Sequence, residues 1–126
     1  MTYTRLNPYD SGWITATLNS GFEPYGDGDD VKPAYRKVGN VVTVNGVVKP
    51  KTAIATGSGA NILTLPEGFR PSRQFATICQ GSGNAIWCLH VFTNGVLYLE
   101  RYRTGGTSEI ANVGVWLPFC ITFVAA

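Results

Sequence analysis

The sequence predicts an all-β fold, an antiparallel sandwich or closed jelly-roll-like barrel of about eight or nine strands. Two observations carry this. No stretch keeps the 3.6-residue period of an amphipathic helix. Short runs of strand formers bounded by Gly, Pro, Asn and Ser instead recur along the whole chain.

Taken in order, the expected strands are "WITATL" (13–18), "AYRKV" (34–38), "VVTVNGVVK" (41–49), "NILTL" (61–65) and "FATICQ" (75–80), followed by "AIWCLHVFT" (85–93), "VLYLERYR" (96–103), "IANVGVW" (110–116) and "FCITFVA" (119–125). With 126 residues the chain reads as a single domain, 1–126, with 1–12 as a lead-in. Such a length buries roughly 68% of the unfolded surface, enough for a self-contained core.

The run 35–51 contains two glycine turn signals, Gly39-Asn40 and Asn45-Gly46, and side-chain alternation separates them. A turn at 45–46 would leave one arm of only three residues before Pro50. Read as one strand, 42, 44, 46 and 48 give Val, Val, Gly, Val on one face, and 41, 43, 45, 47 and 49 give a mixed face. Gly39-Asn40 is then the two-residue turn, and Gly46 marks a bulge or the close approach of another backbone.

Asn94-Gly95, between two long β-runs, is the strongest short-range hairpin signal in the chain. Pairing outward from a two-residue turn sets Thr93 against Val96 and Trp87 against Tyr102. Cys88, His90, Phe92, Leu97 and Leu99 then form the expected core face. Trp87, Leu89, Val91, Val96, Tyr98 and Tyr102, with Glu100, form the other. A hairpin apolar on both faces requires cover on both, from a second sheet and from a subunit or ligand.

Charged residues are 14% of the chain against a typical ~25%. This deficit suggests that part of the surface faces another subunit. The net charge of +2 and the scattered arginines and lysines argue against nucleic acid as a partner. No signal peptide is visible at the N-terminus. The longest apolar run, 114–126, is shorter than the ~20 residues of a membrane span and carries Pro118, so no membrane insertion and a soluble, cytoplasmically made chain are expected.

Candidate chemistry is sparse. Cys79, Cys88 and Cys120 match no zinc spacing and read as small core hydrophobes. His90, the single histidine, falls on the expected core face and lacks a nucleophile partner in any motif. Asp27, Asp29 and Asp30 crowd the glycine-bearing loop "YGDGDDVKP", as oxygen ligands of a hard cation would, but do not match the calcium loop. They are weak metal candidates, and a solvated turn accounts for them as well. No cofactor is indicated. The aromatic group Trp87, Tyr98 and Tyr102, with Glu100 among them, is the candidate carbohydrate-binding set, because flat rings stack on sugars while polar tips bind hydroxyls. Plain subunit packing explains the same residues.

In this order, "PAYRKVGNVVTVNGVVK", "LPEGFRPSRQF" and "LHVFTNGVLYLERY" resemble the C-terminal head domains of bacteriophage tail fibres and receptor-binding proteins, particularly of long-tailed phages of Gram-positive bacteria. The resemblance runs from about Gly12 to Val124. It implies a homotrimeric β-sandwich at a fibre tip in the virion, joined to other tail proteins and adhering to host cell-wall polysaccharide or another surface glycan without catalysis. Two further readings stay open: a structural cap that trimerises a fibre, and a tail enzyme that depolymerises glycan with a carboxylate pair. In the "LPEGFRPS" loop, Pro66 and Pro71 supply stiffness and Phe69 an anchor to the core.

Overall fold

The computed structural model describes residues 9–126, so most of the lead-in expected at 1–12 lies outside the described residues. The described residues contain no helix and ten strands in two antiparallel sheets, as the period-2 patterning predicts. The first sheet comprises β1 (Ile14–Thr15), β2 (Phe22–Pro24), β3 (Ala34–Val38), β4 (Val41–Pro50) and β10 (Leu117–Val124). The second comprises β5 (Ala60–Thr64), β6 (Phe75–Gln80), β7 (Ala85–Val91), β8 (Val96–Thr104) and β9 (Thr107–Ser108). Their orders are β1-β3-β4-β10, with β2 beside β4, and β5-β8-β7-β6, with β9 beside β8.

β4 organises the first sheet. One edge runs along β10 from the Val41–Val124 pair to the Val48–Leu117 pair. Its other edge is shared by β3 and β2, and the exchange falls at Gly46 and Val47. The strand runs unbroken through Gly46, and Val38 pairs with Val41 across the two-residue turn Gly39-Asn40. At Gly46 a Cβ would sit 2.5 Å from the Pro33 backbone, so only glycine lets the two chains close this seam.

Between the sheets, Val42, Val44, Val48, Leu117, Phe119 and Ile121 meet Trp87, Leu89, Val91, Leu97 and Leu99. Trp87 is fully buried, lies edge-on to Phe119 and donates its indole N–H to the Gln80 carbonyl at 2.8 Å. The loop 65–71 is pinned as its prolines and aromatic suggest. Phe69 packs edge-on against Tyr35, Pro71 bridges to Ala125, and Arg70 Nε donates to the Leu65 carbonyl.

Several expectations are corrected. The run 110–116 is not a strand; only Ala111 makes a β-bridge, to Ile54, while β2 and β9 form where no strand was expected. Two of the cysteines are not core residues: Cys120 is exposed and Cys88 is half-buried on an outer face, while the half-buried Cys79 packs against the core. Partial burial, reinforced by the neighbouring Cys88, pushes the Cys79 thiol up to about 11, so it is held as the neutral thiol.

The β7–β8 hairpin forms, but with a different turn. Gly95 N–H donates to the Phe92 carbonyl and Phe92 N–H to the Val96 carbonyl, enclosing a three-residue loop, Thr93–Asn94–Gly95. Gly95 alone takes a positive φ, 90°, whereas a two-residue type I′ turn needs positive φ at both central positions. The register is therefore Val91 against Leu97, His90 against Tyr98 and Cys88 against Glu100. A one-residue slip exchanges the faces of one strand relative to the other. Farther along, Trp87 faces a bulge at Arg101 (φ 58°) and Tyr102, which returns Tyr102 to the core side.

Candidate functional site

This register dissolves the predicted aromatic set. Trp87 and Tyr102 point into the core, at 0% and 7% exposure, whereas Tyr98 and Glu100 stand on the outer face of the second sheet. Burial raises the Tyr102 hydroxyl above its ordinary pKa. His90, expected in the core, takes the outward place beside Tyr98 instead. The four residues share no surface, so no single ligand can touch them all.

The outer face that does form is compact and aromatic. His90 stacks on Phe92 with centroids 4.4 Å apart, and Phe92 meets Tyr98 at 6.3 Å in an edge contact. His90 Nδ1 lies 3.3 Å from Glu100 Oε1. Cys88 continues this face, and its partner Ile78 on β6 is 64% exposed. A shallow hollow of about 310 Å³ opens beside Phe92 and Tyr98, lined also by Asn61. This surface is largely apolar, with the His90–Glu100 pair among its rings.

A larger cleft of about 890 Å³ is formed by the outer face of the first sheet and by β6 at the edge of the second. Its floor is one straight row of register partners across four strands, Thr15, Ala34, Asn45 and Cys120. All four side chains are short, which leaves the row as a depression. Asp29, Asp30 and Lys32 from the loop before β3 line it, as do Ile78 and Gln80 of β6. Trp13 lines it as well, with half of its surface exposed.

The Trp13 indole has a cationic neighbour. The Arg36 guanidinium lies 6.0 Å from the centre of the ring, within cation–π range. Arg36 is fixed in turn by Asp10, with Nε to Oδ1 at 2.9 Å and a terminal nitrogen to Oδ2 at 2.6 Å. The same carboxylate accepts the Gly12 N–H. Arg36, followed by Gly12, holds the Asp10 carboxyl below the usual carboxylate range.

Of the metal candidates, Asp29 and Asp30 line this cleft and Asp27 is exposed in the same loop. Among the described residues, no three His, Cys, Asp or Glu side chains converge as a metal site would require. Trp13 was the signal that sequence reasoning left unused. It has the parity of Thr15, opposite to Ile14, whose partner Tyr35 faces the core, so its outward direction follows from alternation.

No family model matches the chain, and no curated protein matches it. Among solved structures, it is similar to the head domain of phage bIL170, a domain considered with the receptor-binding domains of lactococcal phages. The two agree with a TM-score of 0.67 at 14% identity, over 91% of this chain and 98% of that one. At such identity the likeness establishes a shared fold.

Proposed function

We propose that the chain is the head domain of a bacteriophage receptor-binding protein, a non-catalytic module that holds a glycan of the bacterial surface. The observation that carries this is the end-to-end match to the bIL170 head domain, 91% of one chain and 98% of the other. It agrees with the independent likeness of the motifs at 33–49, 65–75 and 89–102 to phage tail heads. On this reading the protein resides in the virion tail, attached to other tail proteins.

Within the same reading, the domain works as a homotrimer. A charge content of 14% and an outer sheet face built from Cys88, Phe92 and Tyr98 support a subunit contact there. The His90–Glu100 pair gives that face one polar point through which to fix orientation. Adhesion in place of catalysis is supported by the setting of the single histidine, which stacks on a phenylalanine and faces a carboxylate rather than a nucleophile.

The test is binding of the purified domain to a panel of Gram-positive cells and to their extracted wall polysaccharide, with reducing ends assayed in the same tubes. Retention on cells and polysaccharide without new reducing ends is the expected result. Trimers that bind no cells would favour the structural cap, and released reducing ends the depolymerase.

A further inference from the structure

The cleft formed by the first sheet and β6 combines three features that a sugar site needs and that packing alone does not. Its volume of about 890 Å³ lies within the range of roughly 300–1,000 Å³ typical of small-ligand sites. Trp13 presents a broad apolar ring that stays half exposed, and the Arg36 guanidinium, itself held by Asp10, lies 6.0 Å from its centre and restricts its freedom before binding. The Asn45 amide lies in the floor between Ala34 and Cys120, where it can both donate to and accept from hydroxyls.

The charges narrow the ligand further. Asp29 and Asp30 line the cleft against one cation, Lys32. The ion pairs among the described residues, Arg36–Asp10, Lys49–Glu23 and His90–Glu100, involve none of the three. Carboxylates accept two hydroxyls side by side and attract an ammonium, but repel phosphate.

We infer that this cleft seats pyranose rings that are uncharged or carry an amino group, with Trp13 as the stacking platform and Asn45 and the Asp29–Asp30 pair as hydroxyl or ammonium partners. The inference rests on the adhesion reading and names the place and chemical class of its ligand. It also separates the glycan site from the aromatic face of the second sheet.

The experiment has two arms. In the first, the intact domain is titrated with the methyl glycosides of galactose, N-acetylglucosamine and glucosamine, and with glycerol 3-phosphate, while NMR follows the Trp13 indole and Asn45 amide signals. Saturable shifts of these signals with at least one glycoside and none with glycerol phosphate are expected. Shifts confined to the Phe92–Tyr98 face, shifts with glycerol phosphate alone, or no shift with any glycoside would overturn the inference.

In the second arm, Trp13→Ala, Trp13→Phe and Asn45→Leu are compared with the unaltered domain for binding to cells, after circular dichroism and light scattering have checked fold and assembly. Trp13→Ala should lose roughly tenfold in affinity, and Trp13→Phe should keep most of it. Asn45→Leu provides the same reading if Trp13→Ala does not fold. Normal cell binding by Trp13→Ala, or by Asn45→Leu in its place, removes the cleft and leaves adhesion standing. If the unaltered domain binds no cells, the adhesion reading fails, and the glycoside titration alone decides for or against the cleft.

Discussion

The indole of Trp87 meets the ring of Phe119 edge-on, with centroids 6.5 Å apart and planes at 87°. This contact joins the central hairpin of one sheet to the closing strand of the other. Both rings are enclosed, and the indole N–H is satisfied by Gln80. Trp87→Ala would remove the largest buried side chain and orphan that carbonyl, at a loss of about 3–5 kcal/mol. Urea unfolding should show a lower midpoint with an unchanged slope. A change within experimental error would mean that the two sheets do not depend on this contact.

Gly46 is a second sensitive point, for the opposite reason. A methyl group there would meet the Cα, N and Cβ of Pro33 at 2.5–2.9 Å, and backbone cannot rotate away as a side chain can. Gly46→Ala should therefore destabilise by roughly 1–3 kcal/mol through overpacking. Gly12→Ala provides the contrast, because its Cβ would meet nothing within 4 Å and only its φ of 66° is unfavourable. Thermal melts of the two variants should place Gly46→Ala clearly below Gly12→Ala.

The long strand through Gly46 was legible because alternation over many residues admits one reading, and the observed burial of Val42, Val44 and Val48 follows it. The β7–β8 register was not, because Asn94-Gly95 serves both a two-residue turn and a three-residue turn with a glycine bulge. The choice rests on the φ of Asn94, which composition does not encode. The bulge at Arg101 compounded the difficulty, since an arginine at φ 58° leaves no sequence mark. Those two events account for the whole rearrangement of Trp87, Tyr98, Glu100 and Tyr102. The cleft depends on which strands lie side by side, and the row Thr15, Ala34, Asn45, Cys120 joins residues more than a hundred positions apart.

The assembly proposal makes its own demand on the second sheet. If Phe92, Tyr98 and Cys88 meet a neighbouring subunit, an arginine in place of Tyr98 would remove a ring from the contact and add a further charge to be buried beside the His90–Glu100 pair. Tyr98→Arg should dissociate the trimer, seen as a fall to the 13.6 kDa monomer mass in light scattering, with unchanged far-ultraviolet circular dichroism. A trimer that survives the substitution would move the contact elsewhere, with the exposed cluster Val38, Val41 and Val124 as the next apolar surface to test.

Acid should release the support of Trp13. Asp10 titrates below its usual value of 3.8 in the folded chain, held there mainly by the Arg36 hydrogen bond and next by the Gly12 amide. A folded-state pKa below the unfolded one means that protons favour unfolding. The contribution of the pair is therefore complete above the ordinary carboxylate value and is lost as pH falls through 3.8 toward the lower folded value. Both side chains are exposed, so solvent screens the effect and the fall in melting temperature should be small. The local signal should be plain: as Asp10 gains its proton, Arg36 is freed from the indole, and Trp13 fluorescence and the Gly12 amide shift should change together with a midpoint below 3.8. Asp10→Asn should abolish that shared transition at every pH. A midpoint at or above 3.8, or an unaltered transition in Asp10→Asn, would show that the carboxylate does not hold the arginine against the ring.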